Sequence, residues 1–210
     1  MIRLLVALLL TLPLSVRAQD RAGEVDYYVM ALSWSPNWCA REGDGRGAPE
    51  CAAGAGLGWT LHGLWPQYET GWPDYCETDA RDPSRKQSDR MADIMGSGGL
   101  AWYQWKKHGR CTGLSGPDYY ALSRAAYESV TRPALLRELG REVKIAASVI
   151  EAAFLEVNPQ LGADMLTVTC KGGAIAEARI CLTRDLQPRD CGPDVRRECT
   201  LDDAVLSPLR

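Results

Sequence analysis

Histidine is scarce in this chain: 210 residues hold two, His62 and His108. Long apolar runs are scarcer. Beyond Leu4 to Leu14, no stretch approaches the roughly 20 residues that cross a bilayer, and no C-terminal retention tetrapeptide is present. Cys-x-x-Cys does not occur, and neither histidine belongs to a His-x3-5-His pair, which argues against a zinc site. Gly-x-Ser-x-Gly is missing, and with it the usual serine nucleophile elbow. No Gly-Lys-Ser/Thr follows the glycines of Arg41 to Pro49, so they make no phosphate loop. Neither Asn37 nor Asn158 starts a glycosylation sequon. An excess of basic residues is also missing, with 24 Lys and Arg against 27 Asp and Glu. A protein that holds nucleic acid by bulk electrostatics is usually basic. If this one handles nucleic acid, it does so locally and transiently.

The N-terminus reads as a signal peptide. Arg3 gives a basic start, Leu4 to Leu14 an apolar core, and Val16-Arg17-Ala18 small residues at a cleavage site, with Arg17 unusual there. Cleavage after Ala18 leaves residues 19–210 as one domain, of a length that builds a sizeable core. Eight cysteines lie in that part: Cys39, Cys51, Cys76, Cys111, Cys170, Cys181, Cys191 and Cys199. An even count behind a leader predicts disulfides in an oxidising compartment, secreted or periplasmic. Eight cysteines allow on the order of 100 connectivities, and spacing alone does not choose among them.

Glu24 to Trp34 reads as a strand ended by Ser35-Pro36-Asn37. Arg41 to Pro49 reads as a loop. Gly58 to Leu64 reads as a second strand, broken by Trp65-Pro66. Gln67 to Arg85 is a surface loop, and Asp89 to Met95 a short helix. Helices are predicted from Leu100 to His108, stopped by Gly109, and from Gly116-Pro117-Asp118 to about Val130. Pro133 restarts the chain for Ala134 to Leu139. Ser148 and Glu151 offer a capping box for a helix over Val149 to Val157. Met165 to Cys170 and Ala174 to Leu182 are two strands joined by a Lys171-Gly172-Gly173 turn. The tail reads as irregular. Strands near both ends and helices between them predict an α+β domain with an antiparallel sheet.

The two histidines carry the chemical signal. Each is followed by glycine and flanked by tryptophan: Trp59-Thr-Leu-His62-Gly-Leu-Trp65, and Trp102-Tyr-Gln-Trp-Lys-Lys-His108-Gly109. In-line displacement at phosphorus needs one proton taken and another given, and a neutral imidazole and an imidazolium suit those two tasks. Lys107 supplies a cation beside His108 for the charge of the transition state. On a helix, Gln104 and His108 share a face, with Lys107 on the same side. Nearby aromatics offer faces on which a base can stack. The plainer alternatives are a structural histidine, core tryptophans and a solvated Lys106-Lys107 face.

Leu61-His62-Gly63-Leu64-Trp65-Pro66 and Trp105-Lys106-Lys107-His108-Gly109-Arg110-Cys111 closely resemble the two active-site segments of T2-type secretory ribonucleases. Ala31 to Cys39 and the cysteine layout extend the resemblance over most of residues 19–210. It implies an α+β fold, a central antiparallel sheet flanked by helices and stapled by disulfides. It implies cleavage of single-stranded RNA, and not DNA, without metal or cofactor, by a monomer that needs no membrane. The 2′-hydroxyl attacks the adjacent phosphorus and leaves a 2′,3′-cyclic phosphate. By position, His62 and His108 become the acid–base pair, with His108 favoured as base, and Lys107 the catalytic lysine. Trp65 becomes an aromatic that packs on the bound base. The pairing implied is Cys39–Cys51, Cys76–Cys111, and Cys170–Cys199 enclosing Cys181–Cys191. Two positions depart from the pattern: Tyr103-Gln104 stands where His-Glu is usual. Gln104 hydrogen-bonds but carries no charge, and Tyr103 can donate to a phosphate. Gln67 lies where some members carry an acidic base-reading residue, which leaves the base preference read at that position open; the expected enzyme is an endoribonuclease of broad base preference. The substitutions also motivate an alternative, a catalytically weakened homologue that binds RNA or a protein. A disulfide-rich toxin or storage protein is a third reading, resting on the cysteines alone.

Overall fold

The computed structural model describes residues 21–210, so the leader expected at residues 1–18 lies outside the described residues. Its centre is β1 (Tyr27–Trp34), whose Tyr, Val, Leu and Trp side chains are buried along almost the whole strand. β1 pairs antiparallel with β2 (Trp59–Gln67) on one side and β5 (Ala174–Leu182) on the other. β4 (Leu166–Lys171) forms a hairpin with β5. β6 (Ala204–Leu206) touches β5 in parallel at Val205–Ala174 and pairs antiparallel with β3 (Val143–Ile145). Together they form one six-stranded sheet among the described residues, antiparallel but for that contact. Helices α1 (Ser35–Trp38), α2 (Arg85–Asp89), α3 (Ala92–Met95), α4 (Gly98–Lys107), α5 (Gly116–Ser129) and α6 (Ala147–Val157) complete an α+β domain.

Strand alternation divides the sheet into two unlike faces. Tyr28, Met30, Leu32 and Trp34 point to the main core with Leu61, Leu64, Ala178 and Ile180. Trp105 of α4, Tyr119 of α5 and Ile150 and Phe154 of α6 close that core. Tyr27 and Val29 face the other way, into a small cluster with Cys181, Cys191 and Val195. The rest of that second face is polar, and the candidate site is built there.

Asn37 ties the end of β1 into the sheet. Its Nδ2 donates to the carbonyls of Ile175 at 2.8 Å and Val205 at 2.9 Å, and its Oδ1 accepts from Ser207 N at 3.0 Å. One side chain thereby satisfies backbone groups that the short β5–β6 contact leaves open. Disulfides join Cys39–Cys51, Cys76–Cys111, Cys170–Cys199 and Cys181–Cys191.

Several local expectations change. β2 runs through Pro66 to Gln67, which an edge strand tolerates because the missing N–H costs no ladder bond when it faces away from the partner. The helix expected at Asp89 to Met95 is two short ones. Ser84 starts the first with a capping box to Gln87. Ser148 does not cap α6, which begins two residues earlier than expected, at Ala147 after Ala146, and Glu151 accepts from Val168 N of β4 at 2.9 Å. Arg41 to Arg46 coils into a wide turn and a 3-10 turn, not an open loop. Ala134–Arg137 is one 3-10 turn, and Gly109–Thr112 continues α4 as another. The tail read as irregular contributes β6.

Replacing Asn37 by Ala strands a buried N–H and two carbonyls. Urea denaturation is expected to show a loss of about 2–4 kcal/mol. An unchanged midpoint would mean that the β5–β6 junction repairs itself without this side chain.

Candidate active site

The site begins with an irregularity in strand pairing. Ala31 of β1 faces Gly63, while Leu32 faces Leu61, so His62 is the extra residue of a bulge. A second bulge sits across the sheet: Thr169 of β4 faces Glu177, but Cys170 faces Ile175. Bulges re-aim side chains while the flanking register continues. Here the result is a short contact between β2 and β5, with His62 Nδ1 lying 2.6 Å from Glu177 Oε1. Arg179 binds the other oxygen of Glu177 at 2.8 Å. Between the two strands β1 presents Ala31 and Ser33, side chains small enough for the contact to pass over them.

Helix α4 brings the second histidine to the same place. Gln104 and His108 lie one turn apart, joined by the 2.8 Å bond from His108 N to Gln104 O. Gln104 is buried, and its Oε1 accepts from Trp65 Nε1 at 2.8 Å. The Trp65 indole so held packs against both histidines. Its centroid lies 5.5 Å from the His108 ring, nearly parallel, and 5.3 Å from the His62 ring, edge on. The two glycines that follow the histidines are explained by close approach. A Cβ at Gly63 would lie 2.2 Å from Gln104 Oε1, and one at Gly109 would lie 2.5 Å from the Trp105 ring.

The two lysines of the motif differ. Lys106 pairs with Asp82 at 3.4 Å and lies over the Trp102 ring. Lys107 is half-buried and makes no ion pair among the described residues. Its carbonyl accepts from Tyr75 N at 2.8 Å, next to the Cys76–Cys111 disulfide that ties the loop after β2 to the end of α4. Tyr103 is exposed at the rim, and its hydroxyl accepts from Tyr75 Oη at 3.3 Å. Gln67 lies apart from both histidines in sequence register, at the far end of β2 beside Tyr27. It is buried, and its Oε1 has no hydrogen-bond partner among the described residues. A cleft of about 970 Å³ opens at His62 and Tyr103, whereas Trp65, Gln104, Lys107 and His108 do not line it. Among the described residues no three His, Cys, Asp or Glu are grouped to hold a metal ion, and no helix is long and apolar enough to cross a membrane.

Electrostatics set the histidines apart. Burial pulls His108 down to about 3, with the Lys107 and His62 charges adding to the shift, so its imidazole is neutral. Its Nδ1 has no hydrogen-bond partner among the described residues. Burial pushes the Glu177 carboxyl up, but the His62 hydrogen bond, the His62 charge and Arg179 outweigh burial and hold it at about 2. His62 therefore faces a fixed carboxylate. Glu177 and Arg179 were not read from the sequence. Ala176-Glu-Ala-Arg179 is an ordinary alternating strand segment, and nothing local marks its acid as a partner for a histidine 115 residues away.

Both depressed values have the same consequence for stability. The unfolded chain takes up protons first as pH falls, at about 6.5 for His and 4.5 for Glu. Stability from His108 is therefore lost from pH 6.5 downward, and stability from Glu177 from pH 4.5 downward. Urea unfolding is expected to lose about 1–2 kcal/mol between pH 7 and pH 5. His108→Gln should flatten that stretch of the profile while leaving the fall below pH 4.5. An unflattened profile would place the acid sensitivity elsewhere.

Residues 25–191 match the sequence model of the Ribonuclease T2 family. A ribonuclease of Aeromonas hydrophila is 44% identical over 109 residues, covering 52% of this chain and 48% of that protein. A probable ribonuclease of Haemophilus influenzae is 31% identical over 127 residues, covering 55% of this chain and 47% of that protein. The chain thus spans about half the length of these two relatives. The solved structure of an RNase-related protein from Calystegia sepium is 21% identical and superposes with a TM-score of 0.67, over 88% of this chain and 98% of that one. The family's sequence pattern covers most of the described residues and the sheet and helices superpose, and on these grounds the chain belongs to the Ribonuclease T2 family.

Proposed function

We propose that this protein is an endoribonuclease that cleaves single-stranded RNA by transesterification, with broad base preference and no metal or cofactor. The observation that carries the reading is the pair of histidines packed against the one Trp65 ring, one neutral through burial and one held against a carboxylate. His108 takes the proton of the 2′-hydroxyl as its oxygen attacks the adjacent phosphorus. His62, held in place by Glu177, gives a proton to the departing 5′-oxygen. The products are a 2′,3′-cyclic phosphate and a free 5′-hydroxyl, and the proton balance closes when the two histidines exchange roles with water. Lys107, uncommitted to a carboxylate, stabilises the extra negative charge on the phosphorane oxygens. Gln104 holds Trp65 through Oε1, which leaves an N–H as its donor toward substrate. Trp65 offers its ring to a base, Tyr103 its hydroxyl to a phosphate, and Gln67 a hydrogen-bonding amide further along β2. DNA lacks the nucleophile and is not cut. Removal of residues 1–18 on export would leave residues 19–210 as a single domain, a monomer away from the membrane, in an oxidising compartment where its disulfides persist.

A second reading, a weakened homologue that binds RNA or a protein partner, is motivated by Tyr103-Gln104. The discriminating variant is Gln104→Glu. A gain in turnover above about 100-fold would favour the weakened site, and a change below about tenfold an adapted one.

The reading is tested on a short single-stranded RNA with EDTA present and the products weighed. Wild type is expected to yield cyclic phosphate ends. His108→Ala and His62→Ala should each lower kcat by about 10²–10⁴-fold, and Lys107→Ala by about 10²–10³-fold. Lys106→Ala should change kcat little. Activity abolished by EDTA, or retained without either histidine, would refute the mechanism.

A further inference from the structure

The cleft beside the site has an orientation. It opens at His62, while His108 does not line it. With His62 as the donor to the leaving oxygen, chain lying in this cleft is chain on the leaving side, 3′ of the scissile phosphate. Its volume of about 970 Å³ is at the upper end of what holds one drug-sized ligand, so it has room beyond the first leaving nucleotide.

Its charge opposes that of the whole chain. The sequence carries a net charge of −3, yet the cleft lining has five cationic side chains against the carboxylates of Glu42, Glu50 and Glu177. Glu177 is engaged by His62 and Arg179. Glu42 alone meets Arg41 at 3.2 Å, Arg46 at 3.0 Å and Lys171 at 2.9 Å, so one negative charge sits among three positive ones. Arg197 makes no ion pair among the described residues and faces the same cleft.

Two disulfides hold these cations in place. Cys39–Cys51 closes the coiled segment that carries Arg41 and Arg46. Cys170–Cys199 fastens the tail carrying Arg197 to the hairpin carrying Lys171, and Cys199 N also donates to Val168 O at 2.8 Å. Trp38 lines the wall between them and offers a ring to an unpaired base.

We propose that the cleft walled by Arg41, Arg46, Lys171 and Arg197 binds the phosphates of the RNA strand beyond the leaving nucleotide, so that this protein acts on polymers in preference to dinucleotides. This rests on the assignment of His62 as the leaving-group acid. It also explains how an acidic chain holds RNA: the attraction is confined to one groove and released when the 3′ product departs.

The experiment compares a dinucleoside monophosphate with the same dinucleotide extended by three nucleotides on its 3′ or its 5′ side. For the wild type, 3′ extension is expected to raise kcat/KM at least tenfold, and 5′ extension less than twofold. In Lys171→Glu/Arg197→Glu the 3′ gain should fall below twofold, and in Lys171→Gln/Arg197→Gln to an intermediate value. A parallel binding measurement uses fluorescent 2′-deoxy oligonucleotides of the same lengths, which cannot be cleaved. For the 3′-extended probe, the salt dependence of log K should lose about 1.4 in slope in the Glu/Glu variant, roughly 0.7 for each lost phosphate contact. Equal gain from either extension, or a 3′ gain and salt slope untouched by both double variants, overturns the proposal. Cleavage of the dinucleotide with no 3′ effect would remove this subsite and leave the ribonuclease reading standing. A 3′-dependent affinity for the deoxy probes without any RNA cleavage would uphold the cleft and remove the proposed activity.

Discussion

The 2.6 Å contact between His62 and Glu177 depends on the pairing of three strands being correct at once. His62 reaches β5 because β2 carries one extra residue opposite β1, and Glu177 meets it because β5 carries one opposite β4. A register slip of one residue would send either side chain into the hydrophobic core. The small residues of β1 beneath the contact, the Arg179 guanidinium that braces Glu177, and the Trp65 ring above all take their positions from that register. The second histidine is then delivered by a separate element, α4, and secured by the Gln104–Trp65 bond and the Cys76–Cys111 disulfide.

Burial divides the labour between two chemically identical side chains. His108 is packed under Trp65 at the end of a helix, where losing water keeps its imidazole neutral and able to accept a proton. His62 is a third exposed and faces the Glu177 carboxylate. The proposed mechanism draws its base and its acid from these two different environments. The same economy governs the charge of the whole chain. The chain carries a net charge of −3, yet one groove gathers three cations around a single carboxylate, Glu42.

Much of the fold could be read from pattern. β1, β4, β5, α4 and α5 are long or strongly periodic and lie within a few residues of where hydrophobic spacing puts them. The misreadings have specific causes. Ser148 and Glu151 have the spacing of a capping box, but Glu151 is drawn away by Val168 N, a partner that exists only once α6 packs on β4. Pro66 looked like the end of a strand, yet an edge position leaves its missing N–H harmless. β3 and β6 are three residues each, and their partners lie about 60 residues apart, so neither carries a signal of its own.

The candidate site divides along the same line. The sequence alone determined which residues are chemically able: two histidines in a chain that has no others, a lysine beside one of them, tryptophans around both, and eight cysteines. These are properties of residue types and near neighbours, and they survive without a fold. The disulfides are those the family resemblance implied, but only the tertiary structure decided that Lys107 and not Lys106 lacks an ion pair among the described residues, and that Gln104 is occupied by Trp65. It alone brought Glu177 to His62, because a hydrogen bond between residues 115 apart depends on how strands align in space, and no local pattern encodes that alignment.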